Sequence, residues 1–262
     1  MSERNLKILT PSGTMETFVV RPSDDLTPLV IIYMDIWGVR EELREIARQV
    51  AALGYSCALP DLFYRQGHIR HEFRDANGRM LTLAKLSEAQ KEQVRAPLRN
   101  LSDAMVMMDT EALLQYLIAK GEIAPGPIAL VGYCMGGRHA LVAAGTFPQR
   151  FHFAASLHGT SLVTESTESA HKIAKRSAGE IYCGFGELDH YSTPDVRQTL
   201  EQELRGAGVA YTCKVHQGAD HGYALPDRDL YDAAATRLDW EIITAKLHRL
   251  LPLQDSRFQI LK

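Results

Sequence analysis

The stretch Ile128-Ala129-Leu130-Val131-Gly132-Tyr133-Cys134-Met135-Gly136-Gly137 passes from an apolar β-type run, through a cysteine flanked by glycine two residues to either side, into a helical pattern lasting to about Thr146. A residue on so sharp a strand-to-helix turn needs small neighbours, because the backbone must bend and the helix must pack closely on the strand. Gly132 and Gly136 supply that room. Such an elbow raises the Cys134 thiol above the carboxyl edge of a sheet, where open α/β sheets bind ligands. It also aims the Met135 amide, at the helix N-terminus, toward negative charge developing beside the sulfur.

Outward from this elbow, β-type and helical patterns alternate. Leu29–Tyr33 is a continuous apolar run, as expected of a strand buried on both faces. Ser56–Leu59, Phe153–Leu157, Glu180–Phe185 and Ala210–Val215 read as further strands, and Lys7–Thr10 with Met15–Arg21 as a hairpin about Pro11-Ser12-Gly13. Val39, Leu43, Ile46, Ala47 and Val50 recur at helical spacing up to Gly54. Leu101, Met105, Met108, Ala112, Leu113 and Tyr116 mark another amphipathic helix, and two more are expected from Pro194 to about Leu204 and from about Leu230 to Leu251. This order predicts an α/β fold: one domain over residues 1–262, with a mostly parallel sheet covered by helices on both faces. Arg65 to Pro97 breaks the rhythm, being polar, Arg-rich and too long for a crossover. It is expected to form a cap-like insertion at about 65–97, part of it helical from the capping-box spacing of Ser87-Glu88-Ala89-Gln90, with a solvated excursion as the alternative.

A nucleophilic thiol needs a base, and the base needs an orienting group. In elbow hydrolases the chain order is nucleophile, acid, histidine. His221 lies in the loop Gly218-Ala219-Asp220-His221-Gly222 just after a strand, where catalytic residues concentrate; His216, at that strand's end, is the lesser candidate. The acid belongs in the loop after the preceding strand, Gly186-Glu187-Leu188-Asp189; Asp189 is the choice, with Glu187 and Asp195 as alternates.

At these residues the sequence resembles the dienelactone hydrolase (carboxymethylenebutenolidase) family of the α/β-hydrolase fold, from about Thr17 to Leu251. The resemblance implies Cys134 as nucleophile, with Asp189 and His221 as its triad partners. Met34-Asp35-Ile36-Trp37-Gly38-Val39 resembles a family loop that would make the Ile36 amide a second oxyanion donor beside Met135. Asp35 stands where the family carries a glutamate that contacts the resting thiol, which implies a thiol-modulating role; a turn-forming Asp bonded to local amides is the alternative. Family members acting on dienelactone hold its carboxylate with arginines, one of them four residues after the histidine. That position is Leu225 here, and the nearest arginine is Arg228.

Trp37, Tyr64 and Tyr223 flank the site and are expected in its wall, with plain core burial as the alternative, and His158, after its strand, at the pocket edge, with a strand-capping structural histidine as the alternative. A formal net charge of −3 leaves no basic surface for nucleic acid, and no apolar run approaches the length of a membrane span. Met1 to Asn5 lack the apolar run of a secretory signal, so a cytoplasmic protein is expected. Cys57, Cys183 and Cys213 sit in β-type runs as small buried thiols, and no Cys-x-x-Cys spacing calls for zinc. His68-Ile69-Arg70-His71-Glu72 with Asp75 reads as a charged surface, and the elbow chemistry needs neither metal nor cofactor. The expected activity is hydrolysis of a small ester or lactone through an acyl-cysteine. The alternatives are a promiscuous esterase, thioesterase or aryl phosphotriesterase on the same site, or a ligand-binding protein without turnover.

Overall fold

The computed structural model describes residues 1–253. Its chain opens with an antiparallel hairpin, β1 (Ser2–Thr10) and β2 (Gly13–Arg21), whose turn is left through Gly13 at φ +132°. β3 (Leu29–Tyr33) follows, with every residue buried. A strand that can face water on neither side has to be apolar throughout, and this one is. Helix α1 (Glu41–Ala52) buries Leu43, Ile46, Ala47 and Val50, the positions its 3.6-residue spacing singles out. Gly54, at φ +100°, then turns the chain into β4 (Ser56–Pro60).

β4 does not continue outward from β3 as a simple meander would. It pairs parallel to β3 and antiparallel to β2, so the hairpin joins the sheet through β4. On the other side β3 pairs parallel to β5 (Ile128–Tyr133), followed by β6 (Phe151–Leu157), β7 (Glu180–Gly186) and β8 (Tyr211–His216), all parallel. The sheet order is β1-β2-β4-β3-β5-β6-β7-β8, with the expected parallel core and an antiparallel edge.

Between β4 and β5 lies the expected insertion. It contains the short helix α2 (Glu88–Arg95), with a complete capping box: the Gln90 amide donates to Ser87 Oγ and the Ser87 amide to Gln90 Oε1. It is not a free excursion. The Met80 amide donates to the Asp227 carbonyl and the Asp229 amide to the Met80 carbonyl. Lys85 pairs with Asp229, and the Trp37 and His71 rings meet edge to face at 6.2 Å. The insertion is thus tied to the loop after β3 and to the segment after His221.

Helix α3 (Asp103–Ala119) corrects the expected face. Met108 is exposed, and the buried side carries Val106, Met107, Asp109, Thr110, Leu113, Leu114 and Leu117. Hydrophobic periodicity misplaces this face because two polar residues occupy it. Asp109 accepts two hydrogen bonds from Arg65 (2.7 and 2.8 Å) and one from Tyr64 (2.9 Å), while the Thr110 and Tyr33 hydroxyls are 2.6 Å apart. A buried carboxylate with three donors escapes most of the desolvation cost that otherwise drives charge to the surface.

The remaining helices are α4 (Met135–Thr146), α5 (Ala170–Ala174), α6 (Pro194–Gly206) and α7 (Ala233–Leu250). No helix among the described residues is long and apolar enough to cross a membrane.

Candidate active site

Cys134 stands between β5 and α4 at φ 55°, ψ −117°, a conformation that L-residues rarely adopt. The surroundings hold it there: its amide donates to the Leu157 carbonyl (3.1 Å), and its carbonyl accepts from the Thr160 amide (3.2 Å). A Cβ at Gly132 would overlap the Gly136 carbonyl, and one at Gly136 would overlap the Tyr33 and Met34 carbonyls. Both glycines are therefore the condition for packing α4 against β5 and the loop after β3.

The loops after β7 and β8 bring the two expected partners to this elbow. His221 Nε2 lies 3.2 Å from Cys134 Sγ, and His221 Nδ1 lies 2.9 Å from Asp189 Oδ2. Asp189 is itself oriented, since its Oδ1 accepts from the Tyr191 amide (2.9 Å). Glu187, the first alternate, accepts from the Gly218 amide instead, and His216 is drawn to Asp239. Burial works against charge on His221, but the sulfur's negative charge, the Asp189 and Cys134 hydrogen bonds and the carboxylate charge outweigh it and raise the imidazole to about 10. Met135 opens α4 directly after Cys134, and Ile36 lies in the loop after β3.

Asp35 is buried beside this site but is not an uncompensated anion. Its Oδ1 accepts from the Trp37 amide (3.1 Å), the turn bond expected of the alternative, and from Arg40 Nη1 (2.7 Å). Its Oδ2 accepts from Arg40 Nη2 (3.1 Å) and is 3.8 Å from Arg228 Nη1. Arg40 also donates to both oxygens of Asp227, at 2.5 and 3.0 Å. Arg228 is buried, with its guanidinium 4.6 Å above the Trp37 ring; burial lowers its pKa against the pull of Asp35.

Of the other expected wall residues, His158 meets His221, and Tyr223 meets His158. His158 is 1% exposed at φ +39°; its ring meets His221 edge-on at 5.0 Å and Tyr223 at 5.6 Å. Neither of its nitrogens has a hydrogen-bond partner among the described residues. Burial, then the His221 and Arg228 charges, hold it well below the ordinary histidine value, so it is a neutral imidazole. Tyr64 goes elsewhere: its hydroxyl is engaged by Thr10 (2.6 Å) and Asp109, at the hairpin end of the sheet beyond β4. Tyr191 was not foreseen, yet its ring lies 4.8 Å from His221. Its one visible signal is its place two residues after Asp189, where an Asx turn begins.

Residues 15–251 match the dienelactone hydrolase family. The chain belongs to that family. Among its relatives is carboxymethylenebutenolidase 1 of Cupriavidus pinatubonensis, 26% identical over 227 residues, which cover 86% of this chain and 87% of that one. A Synechocystis protein provisionally described as a carboxymethylenebutenolidase is 27% identical over 219 residues, 82% of each chain. Among solved structures, a Klebsiella pneumoniae protein provisionally described as a dienelactone hydrolase superposes with a TM-score of 0.80 at 24% identity, covering 93% of this chain and 97% of that one. A dienelactone hydrolase-like promiscuous phosphotriesterase from metagenomic libraries gives 0.73 at 19%, covering 97% and 99%. This dienelactone hydrolase family member is therefore an α/β-hydrolase-fold enzyme of the carboxylic-ester hydrolase class.

Proposed function

We propose that the chain hydrolyses an activated ester or lactone by acyl transfer to Cys134, with His221 as general base and Asp189 as its orienting acid. The observation that carries this is the continuous alignment of Sγ, Nε2, Nδ1 and Oδ2 at 3.2 and 2.9 Å. His221 holds the proton that the thiol gives up, and the sulfur adds to the substrate carbonyl. The amides of Met135 and Ile36 receive the oxyanion. Collapse breaks the bond to the leaving oxygen, which takes the proton back from His221. Water then gives a proton to His221 and adds to the thioester, and the second collapse releases the acid and returns the thiol. A thiolate is a good leaving group, so enol lactones and aryl esters suit it better than alkyl esters do.

Asp35 tunes the thiol indirectly, through the arginines that surround it. Arg228, stacked over Trp37 and 3.8 Å from Asp35, is the arginine assigned to a substrate carboxylate in this reading. Four free cysteines among the described residues suit a reducing compartment, which favours the cytoplasm.

A screen of enol lactones, 4-nitrophenyl esters and aryl phosphotriesters, each with and without a free carboxylate, tests the substrate class. Turnover of the lactone and aryl ester, abolished in Cys134→Ala, is expected. Full activity in Cys134→Ala would overturn the mechanism, and one-for-one acylation without turnover would make the chain a binding protein.

A further inference from the structure

Resting on that triad, we infer that Asp239, on α7 and bonded to Tyr182, His216 and Tyr223 rather than to the triad, is a positioning residue that staples shut the loop carrying His221. Asp239 is wholly buried, and three donors converge on it. Its Oδ1 accepts from Tyr182 Oη (2.5 Å) and from His216 Nε2 (2.7 Å), and its Oδ2 accepts from Tyr223 Oη (2.6 Å). The sequence places of two of these donors matter. His216 is the last residue of β8, where the loop leaves the sheet, and Tyr223 is the second residue after His221, where the loop returns. One carboxylate therefore grips both ends of a six-residue loop, Gln217 to Gly222, and Tyr182 anchors that carboxylate to β7.

The backbone is cleared to allow this. A Cβ on Gly184 would stand 2.5 Å from Tyr223 Oη and 2.8 Å from each Asp239 oxygen, so only glycine on β7 admits the cluster. The grip then passes to the base through rings. Tyr223 packs at 5.1 Å against His216 and at 5.6 Å against His158, and His158 meets His221 edge-on at 5.0 Å. His158 is fixed in turn, its amide donating to the Gly184 carbonyl (2.9 Å). His221 thus meets, in His158, a ring that leads back through Tyr223 to Asp239, while Tyr191 packs against it at 4.8 Å and Asp189 fixes its Nδ1 edge. Burying a carboxylate with hydrogen-bond donors alone is costly where apolar packing would serve the core. Its placement across the ends of this loop gives that cost a role.

Asp239→Asn keeps the size of the side chain but replaces one acceptor by an NH2 that faces a donor. Tyr223→Phe keeps the ring and removes one grip. Both are measured on 4-nitrophenyl acetate at a temperature below the melting transition recorded for each variant, alongside the proton titration of His221 by NMR of histidine-labelled protein. Displacing a catalytic group by about 1 Å from a distance costs on the order of 100-fold. Asp239→Asn is expected to lose about that much in kcat with KM nearly unchanged, and Tyr223→Phe about a tenth as much. In both, the His221 titration should move from its wild-type value. If either variant folds and keeps wild-type kcat and the wild-type His221 titration, losing only melting temperature, the cluster is a structural one and the inference is overturned. The titration separates this from failure of the triad itself: a triad that does not catalyse would leave Cys134→Ala active, whereas His221 would still report whether Asp239 holds it.

Discussion

Cys134 differs from the other three cysteines less in its exposure than in what surrounds it. Cys57 and Cys183 are fully buried, and burial pushes both thiols far up; Cys213 is exposed on the edge strand, and among the described residues no histidine is hydrogen-bonded to it. One equivalent of iodoacetamide should therefore label Cys134 first and abolish esterase activity with the same stoichiometry, as peptide mapping would show. Asp189→Asn should lower kcat by about 10⁴-fold with the fold intact, because the imidazole loses its orienting acceptor. Glu187→Gln, which disturbs only a bond to the Gly218 amide, should cost far less. His221 offers a pH test. The influences raising it to about 10 include the sulfur's charge and hydrogen bond, whereas burial lowers it. In Cys134→Ala the raising influence of the sulfur is gone and burial remains, so the pH at which His221 releases its proton, read by NMR, should fall. Asp35→Asn leaves Arg40 and Arg228 short of an anion beside the thiol. Removing one partner of a buried pair costs about 3–5 kcal/mol, so the melting temperature should drop. The unbalanced positive charge should also move the pH profile of Cys134 alkylation downward.

At the scale of elements, each residue of the proposed triad occupies the loop after a parallel strand, and strand, loop and chain order are all visible in apolar runs and turn residues. For that reason the approach of Asp189 and His221 to Cys134 could be read from the sequence. Arg40 and Asp239 could not, because their partners are remote: Arg40 reaches Asp227, and Asp239 reaches Tyr182 and His216. The same holds for Tyr64, whose sequence position beside β4 says nothing of the buried Asp109 that captures it. In the insertion, the capping box of α2 is a local signal and was legible. The Met80 bridge to residues 227–229 is a long-range backbone pairing with no local signature. Ser87→Ala should remove about 1 kcal/mol from α2. Because that helix is largely exposed and anchored elsewhere, faster amide exchange confined to residues 88–95, without a matching fall in global melting temperature, is the expected result.

Over the whole molecule, stability resides in the middle of the sheet. Ile31, on β3 and 0% exposed, should cost about 2–5 kcal/mol on truncation to alanine in urea unfolding. Leu9, 79% exposed on the edge strand β1, should stay within about 0.5 kcal/mol in the same assay. The strand order also bears on how the chain is made. β3 and β4 leave the ribosome early, but the second neighbour of β3 is β5, roughly a hundred residues later. Until β5 arrives, one flank of the most apolar strand carries unpaired amides and carbonyls, an edge that templates association with other chains. A nascent chain halted near Lys120 should therefore engage chaperones or aggregate, whereas one halted after Leu157, with β5 and β6 both emerged, should be markedly more soluble. The central place that shelters β3 in the finished enzyme makes it the segment most at risk during synthesis.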